Sequence, residues 1–177
     1  SLWYRAYYGM PDTLLSPTGM PVNAIRGYLD MTARLVNHYR PQRLALCLDG
    51  DWRPSWRVDL FPGYKLNRVD DEGDEEAEPD LLTPQIPLIL DFFEAAGIPL
   101  IGVDDFEADD VIATLALKIT QNQGQAIIAS TDKGKHFVDL LSEATGHDVA
   151  ASINTTGAGG DLFLEYQSGL ISHSLIA

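Results

Sequence analysis

The sequence predicts an α/β fold, a parallel sheet flanked by helices. Two observations carry that expectation. Apolar runs of strand length alternate with segments of helical period, the pattern of successive βαβ units. Each such run is followed at once by carboxylates: Asp49, then Asp104, Asp105, Glu107, Asp109 and Asp110, then Asp132. In a parallel sheet the carboxyl ends of the strands share one edge, beside which ligands bind. One crevice would therefore collect acids from distant parts of the chain.

The elements follow in order. "PVNAIRGYLDMTARLVNHY" (21–39) sets Ile25, Leu29, Ala33 and Val36 at helical spacing and ends before Pro41. "RLALCL" (43–48) is the first strand, closed by Asp49-Gly50. Residues 50–80 have no period and read as an insertion or lid. "LTPQIPLILDFFEAAG" (82–97) is a helix with Thr83 as N-cap, Pro84 in the first turn and Gly97 as C-cap. "IPLIGV" (98–103) is a strand, 107–122 a helix, and "QAIIAS" (125–130) a third strand ending at Thr131-Asp132. From about Gly146 the pattern fades into Gly and Thr clusters without a period.

A chain of 177 residues is long enough for one domain that buries roughly 70% of its unfolded surface. Its net charge of −14 argues at first against a nucleic-acid partner, but the distribution matters more than the sum. Six of the 12 basic residues fall between Arg40 and Arg68, and eight of the 26 acids lie in "VDDEGDEEAEPD" (69–80), which reads as a self-repelling loop. The single cysteine, Cys47, allows no internal disulfide, and there is no apolar run of membrane-spanning length, so a cytoplasmic protein without a membrane partner is expected. The chain begins at Ser1 without an initiator Met and reads as part of something longer.

The acids before the helix at 107–122 set the chemistry. Glu107 and Asp110, three apart, lie on one face of a helical first turn, with Asp109 about 100° from Asp110. Acids at a helix start also complement the dipole, by roughly 0.3–1 kcal/mol each, and that reading suffices for Asp104 and Asp105. Behind Glu107, Asp109 and Asp110 stands an apolar helix, and matching acids, Asp49 and Asp132, follow two other strands. Hard oxygen donors without a neighbouring His or Cys suit Mg²⁺ or Mn²⁺ better than zinc, and a divalent cation would offset their mutual repulsion.

"FEADDVIATLA" resembles the signature of the 5′–3′ exonuclease and flap endonuclease family, which includes the nuclease domain attached to bacterial DNA polymerase I. "SLWYRAYYGMP", "TGMPVNAIRGYLDM", "LALCLDGDWRPSWRVDLFPGYKLNR", "LTPQIPLILDFFEAAGIPLIGV" and "AIIASTDK" follow that family in collinear order. The resemblance implies a PIN-like nuclease domain over 1–140 with a helical-arch insertion at about 50–80, and a tail, 141–177, of no recognised domain. It implies hydrolysis of phosphodiester bonds at DNA with a free 5′ end or 5′ flap, with RNA as a further substrate, by a monomer using two Mg²⁺ or Mn²⁺ ions. Asp49, Glu107, Asp109, Asp110 and Asp132 would hold the metals, and Lys65 and Asp110 would serve the chemical step. Arg5, Arg53, Arg57, Tyr64, Lys65 and Arg68 would meet DNA, Tyr64 by stacking on a base. Taken without the family, the basic segment reads as a loop paired with the acidic run after it, and Trp52 and Trp56 as packing residues.

The sequence also departs from the family. The family's first strand, with its metal-binding Asp-Gly, would fall before Ser1, and Gly134 in "TDKGK" stands where the family carries a second acid. Little or no activity is therefore expected of this chain. A non-catalytic DNA-binding remnant and a PIN-type endoribonuclease are the alternatives; the long "YKLNR" insertion argues against the second. A phosphatase of the haloacid dehalogenase type shares the acid spacing of "LDGDW" but lacks the later lysine context.

Overall fold

Small side chains decide how the first two helices meet. In the computed structural model, which describes residues 2–69 and 81–129 together with the backbone of 149–151 and 166–168, the chain forms two units. One comprises Ser1–Pro41 and Ala113–Ala177, the other Gln42–Ile112.

In the first unit, α1 (Leu2–Gly9) packs on α2 (Asn23–Tyr39). Ala24 and Ala6 are buried at the seam, and a Cβ at Gly27 would lie 2.7 Å from the Ala6 carbonyl oxygen. Trp3 stacks on Tyr28 with ring centroids 4.5 Å apart. The buried Asn23 side chain donates to the Tyr7 carbonyl at 2.9 Å, satisfying an acceptor at the end of α1. The helix itself matches the expected span, but its buried face does not. Asn23, Ala24, Gly27, Tyr28 and Met31 face inward, whereas Ala33 and Val36 are exposed. Close approach of two helix backbones requires the small residues, and that overrides the larger apolar side chains. Arg40, at a left-handed φ of 44°, ends the helix directly before Pro41.

Helix α5 (Ala108–Gln121) carries its last nine residues into this unit, and ends in a turn in which Gly124 N–H donates to the Ile119 carbonyl at 2.9 Å. Beyond it, Ala126 and Ile128 are buried and Ile127 exposed, an alternation suited to a strand, yet none is formed over 125–129. The expected third strand is thus absent among the described residues, and Asp132 lies outside them. In the tail, where no period was legible, β3 (Val149–Ala151) pairs antiparallel with β4 (Tyr166–Ser168).

In the second unit the parallel sheet is present but short. β1 (Leu46–Cys47) pairs with β2 (Leu100–Ile101) in the register Leu46 to Leu100 and Cys47 to Ile101. The ladder extends by a bond from Leu48 N–H to the Ile101 carbonyl at 2.9 Å. Helix α4 (Gln85–Ala95) supplies the core with Ile89 and Phe93, beside Leu82 and Leu46. Its N-cap is Pro84, not Thr83, and no side chain caps it. At its other end Gly97 (φ 72°) donates to Glu94 and Ile98 to Phe93, the paired bonds of a Schellman motif. The 50–80 insertion contains a short helix, α3 (Ser55–Leu60), and a 3₁₀ turn, Leu66–Arg68; residues 70–80 lie outside the described set. No helix among the described residues is long and apolar enough to cross a membrane.

Candidate active site

The site lies within the second unit, where the exits of β1 and β2 meet the start of α5. Gly50 makes the meeting possible, because a Cβ there would sit 2.0 Å from the Val103 carbonyl oxygen. With no side chain in the way, Gly50 and Asp51 N–H both donate to the Phe106 carbonyl, at 2.9 and 3.1 Å. Asp49 is thereby brought against α5, and its Oδ1 accepts from Ala108 N–H at 2.7 Å. Asp110 Oδ2 accepts from Glu107 N–H at 3.0 Å, the returning arm of a capping box. Acids from two strand exits thus occupy the positive end of one helix.

The insertion delivers its cations to the same place. Arg57 reaches Glu107 Oε2 through Nη1 and Asp110 Oδ1 through Nη2, the latter at 2.6 Å. Lys65 Nζ binds Glu107 Oε1 and also the Trp52 carbonyl, at 2.7 Å. The Tyr64 hydroxyl donates to Glu107 Oε2. The Glu107 side chain is only 6% exposed, so three donors satisfy a buried carboxylate that would be costly alone. Trp56 secures the arrangement from outside: its Nε1–H donates to the Asp105 carbonyl at 3.0 Å, and its ring lies 4.7 Å from the Arg57 guanidinium.

These contacts shift protonation equilibria. Burial pushes the Tyr64 hydroxyl up, and its bond to Glu107 and the charge there push it further, to about 12. Burial lowers the Arg57 guanidinium, but the bond to Asp110 and the charges of Asp110 and Glu107 outweigh that, and the net shift is upward. The Asp109 carboxyl is raised by desolvation and by the charges of Glu107 and Asp49, with Lys65 pulling the other way. Since Asp109 keeps an exposed surface, neighbouring charge is the firmer of its two causes. Like-charged carboxylates do crowd here.

Glu107, Asp110, Arg57, Tyr64 and Lys65 form one hydrogen-bonded cluster, with Asp49 on the same helix end and Asp109 within electrostatic reach. The sharing of Arg57 by Glu107 and Asp110 is what an i, i+3 placement allows. Arg53 turns inward and donates from Nε to the Tyr64 carbonyl at 2.8 Å, bracing the insertion, while Arg68 stays exposed. Arg5 is buried in α1, 6% exposed, a position unsuited to meeting a phosphate. Trp56 and Trp52 do not share a helix, since α3 starts at Ser55. The bond from Trp56 to Asp105 carried no sequence signal beyond the adjacency of Trp56 and Arg57.

Four carboxylates with hard oxygens suit Mg²⁺ or Mn²⁺ in donor chemistry, but as arranged they do not fit one. Among the described residues no group of three or more His, Cys, Asp or Glu stands ready to hold a metal ion. The reason is local: both Glu107 oxygens are taken by Lys65, Arg57 and Tyr64, and Asp110 and Asp49 accept from Arg57 and backbone N–H groups.

A family model, 5′-3′ exonuclease, N-terminal resolvase-like domain, matches residues 1–152. Strand exits carrying acids, facing a basic insertion, agree with that match, and the chain belongs to the 5′-3′ exonuclease family. It is 44% identical to a 5′-3′ exonuclease of Streptomyces coelicolor over 89% of this chain and 52% of that protein. It is 41% identical to a 5′-3′ exonuclease of Mycobacterium tuberculosis, over 90% of this chain and 49% of that one. It is 34% identical to the flap endonuclease Xni of Psychromonas ingrahamii, over 76% and 45% respectively. The chain thus spans about half the length of these relatives.

Proposed function

We propose that this chain is the nuclease module of a structure-specific 5′–3′ exonuclease that acts on DNA with a free 5′ end or 5′ flap. One observation carries the reading: Arg57, Tyr64 and Lys65, from a single segment, converge on acids at the start of α5. Phosphate-binding donors and cation-binding acids are thereby set side by side, as phosphodiester hydrolysis requires. In this proposal residues 1–140 form a PIN-like domain and 50–80 its arch over the strand. For Mg²⁺ or Mn²⁺ the proposal takes Asp49, Glu107, Asp109, Asp110 and Asp132, of which Glu107, Asp110 and Asp49 would first have to leave the partners they hold here. Such ions would supply Lewis acidity toward a water and toward the phosphate oxygens. Lys65 meets the scissile phosphate, Arg57 and Arg68 the neighbouring ones, and Tyr64 and Trp56 set the position of the segment. Gly134 supplies no carboxylate where the family carries one, which favours slow turnover by this chain.

The test is binding and cleavage of 5′-flap DNA in Mg²⁺ or Mn²⁺, with Asp110→Asn as control. Flap DNA should bind better than blunt duplex, with an affinity that falls as salt rises, and cleavage should be slow and lost in the control. Equal, salt-independent binding of both DNAs would remove the nuclease reading. Fast cleavage lost in Asp110→Asn would keep it and overturn the slow turnover.

A further inference from the structure

The insertion carries four aromatic residues, Trp52, Trp56, Phe61 and Tyr64, and they are not equally engaged. Tyr64 gives its hydroxyl to Glu107, and Arg57 Cζ and Lys65 Nζ each lie 5.6 Å from its ring centroid. Trp56 donates to the Asp105 carbonyl and lies against the Arg57 guanidinium, and Trp52 is half-buried. Phe61 differs: it is 62% exposed. Pro62 after it disfavours the helical conformation, and at φ −144° and ψ 94° Phe61 ends α3 and leaves the helix. Its N–H donates to the Arg57 carbonyl and its carbonyl accepts from Tyr64 N–H, both at 2.8 Å, so its backbone is fixed at both ends. The far edge of its ring lies over Gly63, where a Cβ would stand 3.0 Å from Cζ. An exposed ring is thus held in place by its own turn.

Local charge says what such a ring would meet. From Arg53 to Arg68 the chain has four cations and a single acid, Asp59, against a net charge of −14 overall. Arg68 is exposed, as are Leu60 at 79% and Leu66 at 58%. Cations interleaved with exposed apolar side chains suit an anionic polymer whose bases can stack, a single strand of nucleic acid. We propose that Phe61 is the base-stacking residue of the insertion: an unpaired base lies on its ring while Arg68 supplies charge to the backbone phosphates. This rests on the nuclease reading above, and it moves the stacking role from Tyr64, whose ring already meets two cations, to Phe61. Nothing at Glu107 has to change, since Arg57, Tyr64 and Lys65 keep their partners while the base binds. Bases inside a duplex are stacked on one another and offer no free face. The ring therefore selects an unpaired strand, and does so without reading its sequence.

Two measurements on the 177-residue chain test this, both in EDTA so that binding is read without cleavage. The first is the affinity for a 5′-phosphorylated oligothymidylate as a function of salt, for the wild type, Phe61→Leu, Phe61→Trp and Arg68→Ala. Phe61→Leu keeps an apolar side chain but removes the π-face. It should weaken binding roughly fivefold or more with the salt slope unchanged, while Phe61→Trp should bind at least as tightly as the wild type. Arg68→Ala should instead reduce the slope of log affinity against log salt by roughly 0.7. Wild-type affinity in Phe61→Leu overturns the stacking role, and is also what apolar side chains serving a protein partner would give. If the wild type then still binds DNA with an affinity that falls as salt rises, the nuclease reading stands without it; if no form binds DNA, both fall. The second uses only the wild type and so does not depend on a variant folding. The same oligonucleotide with 5-iododeoxyuridine in place of thymidine, photo-crosslinked and mapped by mass spectrometry, should be joined to Phe61. A crosslink at Tyr64 or Trp56 with none at Phe61 overturns the proposal.

Discussion

The seam between α1 and α2 and the junction between the insertion and α5 are built on opposite principles. The first is steric: Ala6, Ala24 and Gly27 let two backbones touch, and one buried amide, Asn23, satisfies the end of α1. The second is electrostatic: Glu107 is buried only because Lys65, Arg57 and Tyr64 answer it. A seam of small apolar residues has one good packing and strong dependence on shape. A junction of exchanged charges has alternatives, because any competing cation or anion can take a partner's place. The difference teaches where this chain is fixed and where it can open.

The comparison breaks most visibly at the seam. Gly27→Val drives a side chain into the Ala6 backbone, so a loss of roughly 2–3 kcal/mol in urea unfolding is expected, with little dependence on salt. A variant as stable as the parent would mean that the helices separate at little cost. At the junction, Trp56→Phe keeps a ring but removes the donor to the Asp105 carbonyl, for about 1 kcal/mol; no change in the unfolding midpoint would show that bond to be idle.

Tyr64 sharpens the electrostatic side. Its hydroxyl is raised to about 12 by burial and by Glu107, so the folded chain holds this proton more tightly than the unfolded one. The stability it contributes is whole below the ordinary tyrosine value near 10 and is lost as pH rises from there through about 12. Ultraviolet titration should therefore show a late tyrosine step near pH 12, and Tyr64→Phe should remove one tyrosine from it. The smallest effect belongs to Arg26→Ala. That guanidinium, 64% exposed, pairs with Asp30 at 2.8 Å along α2, and its loss should cost less than about 0.5 kcal/mol. A larger loss would assign α2 a role that its exposed face does not suggest.

Much of this was legible from local pattern. The spans of α2, α4 and α5 follow from helical period and from Pro41 and Gly97, and β1 and β2 sit inside the apolar runs. The shared face of Glu107 and Asp110 follows from spacing alone. What stayed hidden depends on partners far away in sequence. The inward face of α2 was misjudged because backbone approach selects Gly27 and Ala24, and size-based periodicity looks to Leu29 and Val36. Residues 125–129 have the alternation of a strand, but alternation does not supply a neighbour to bond. The basic insertion pairs with acids about 50 positions away, at 107 and 110, and nothing in the local charge pattern distinguishes those from the nearer run at 70–80. Arg5 reads as a surface cation until α1 is seen to bury it.

The central claim is that the insertion is held on α5 by exchanged charge at Glu107, and a double-mutant cycle measures it most directly. Lys65→Met, Glu107→Gln and the double variant, unfolded in urea at low and high salt, give the coupling free energy of the pair. The account predicts a coupling of roughly 1–3 kcal/mol at low salt, and smaller at high salt. Additive effects, with no coupling at any salt concentration, would contradict it.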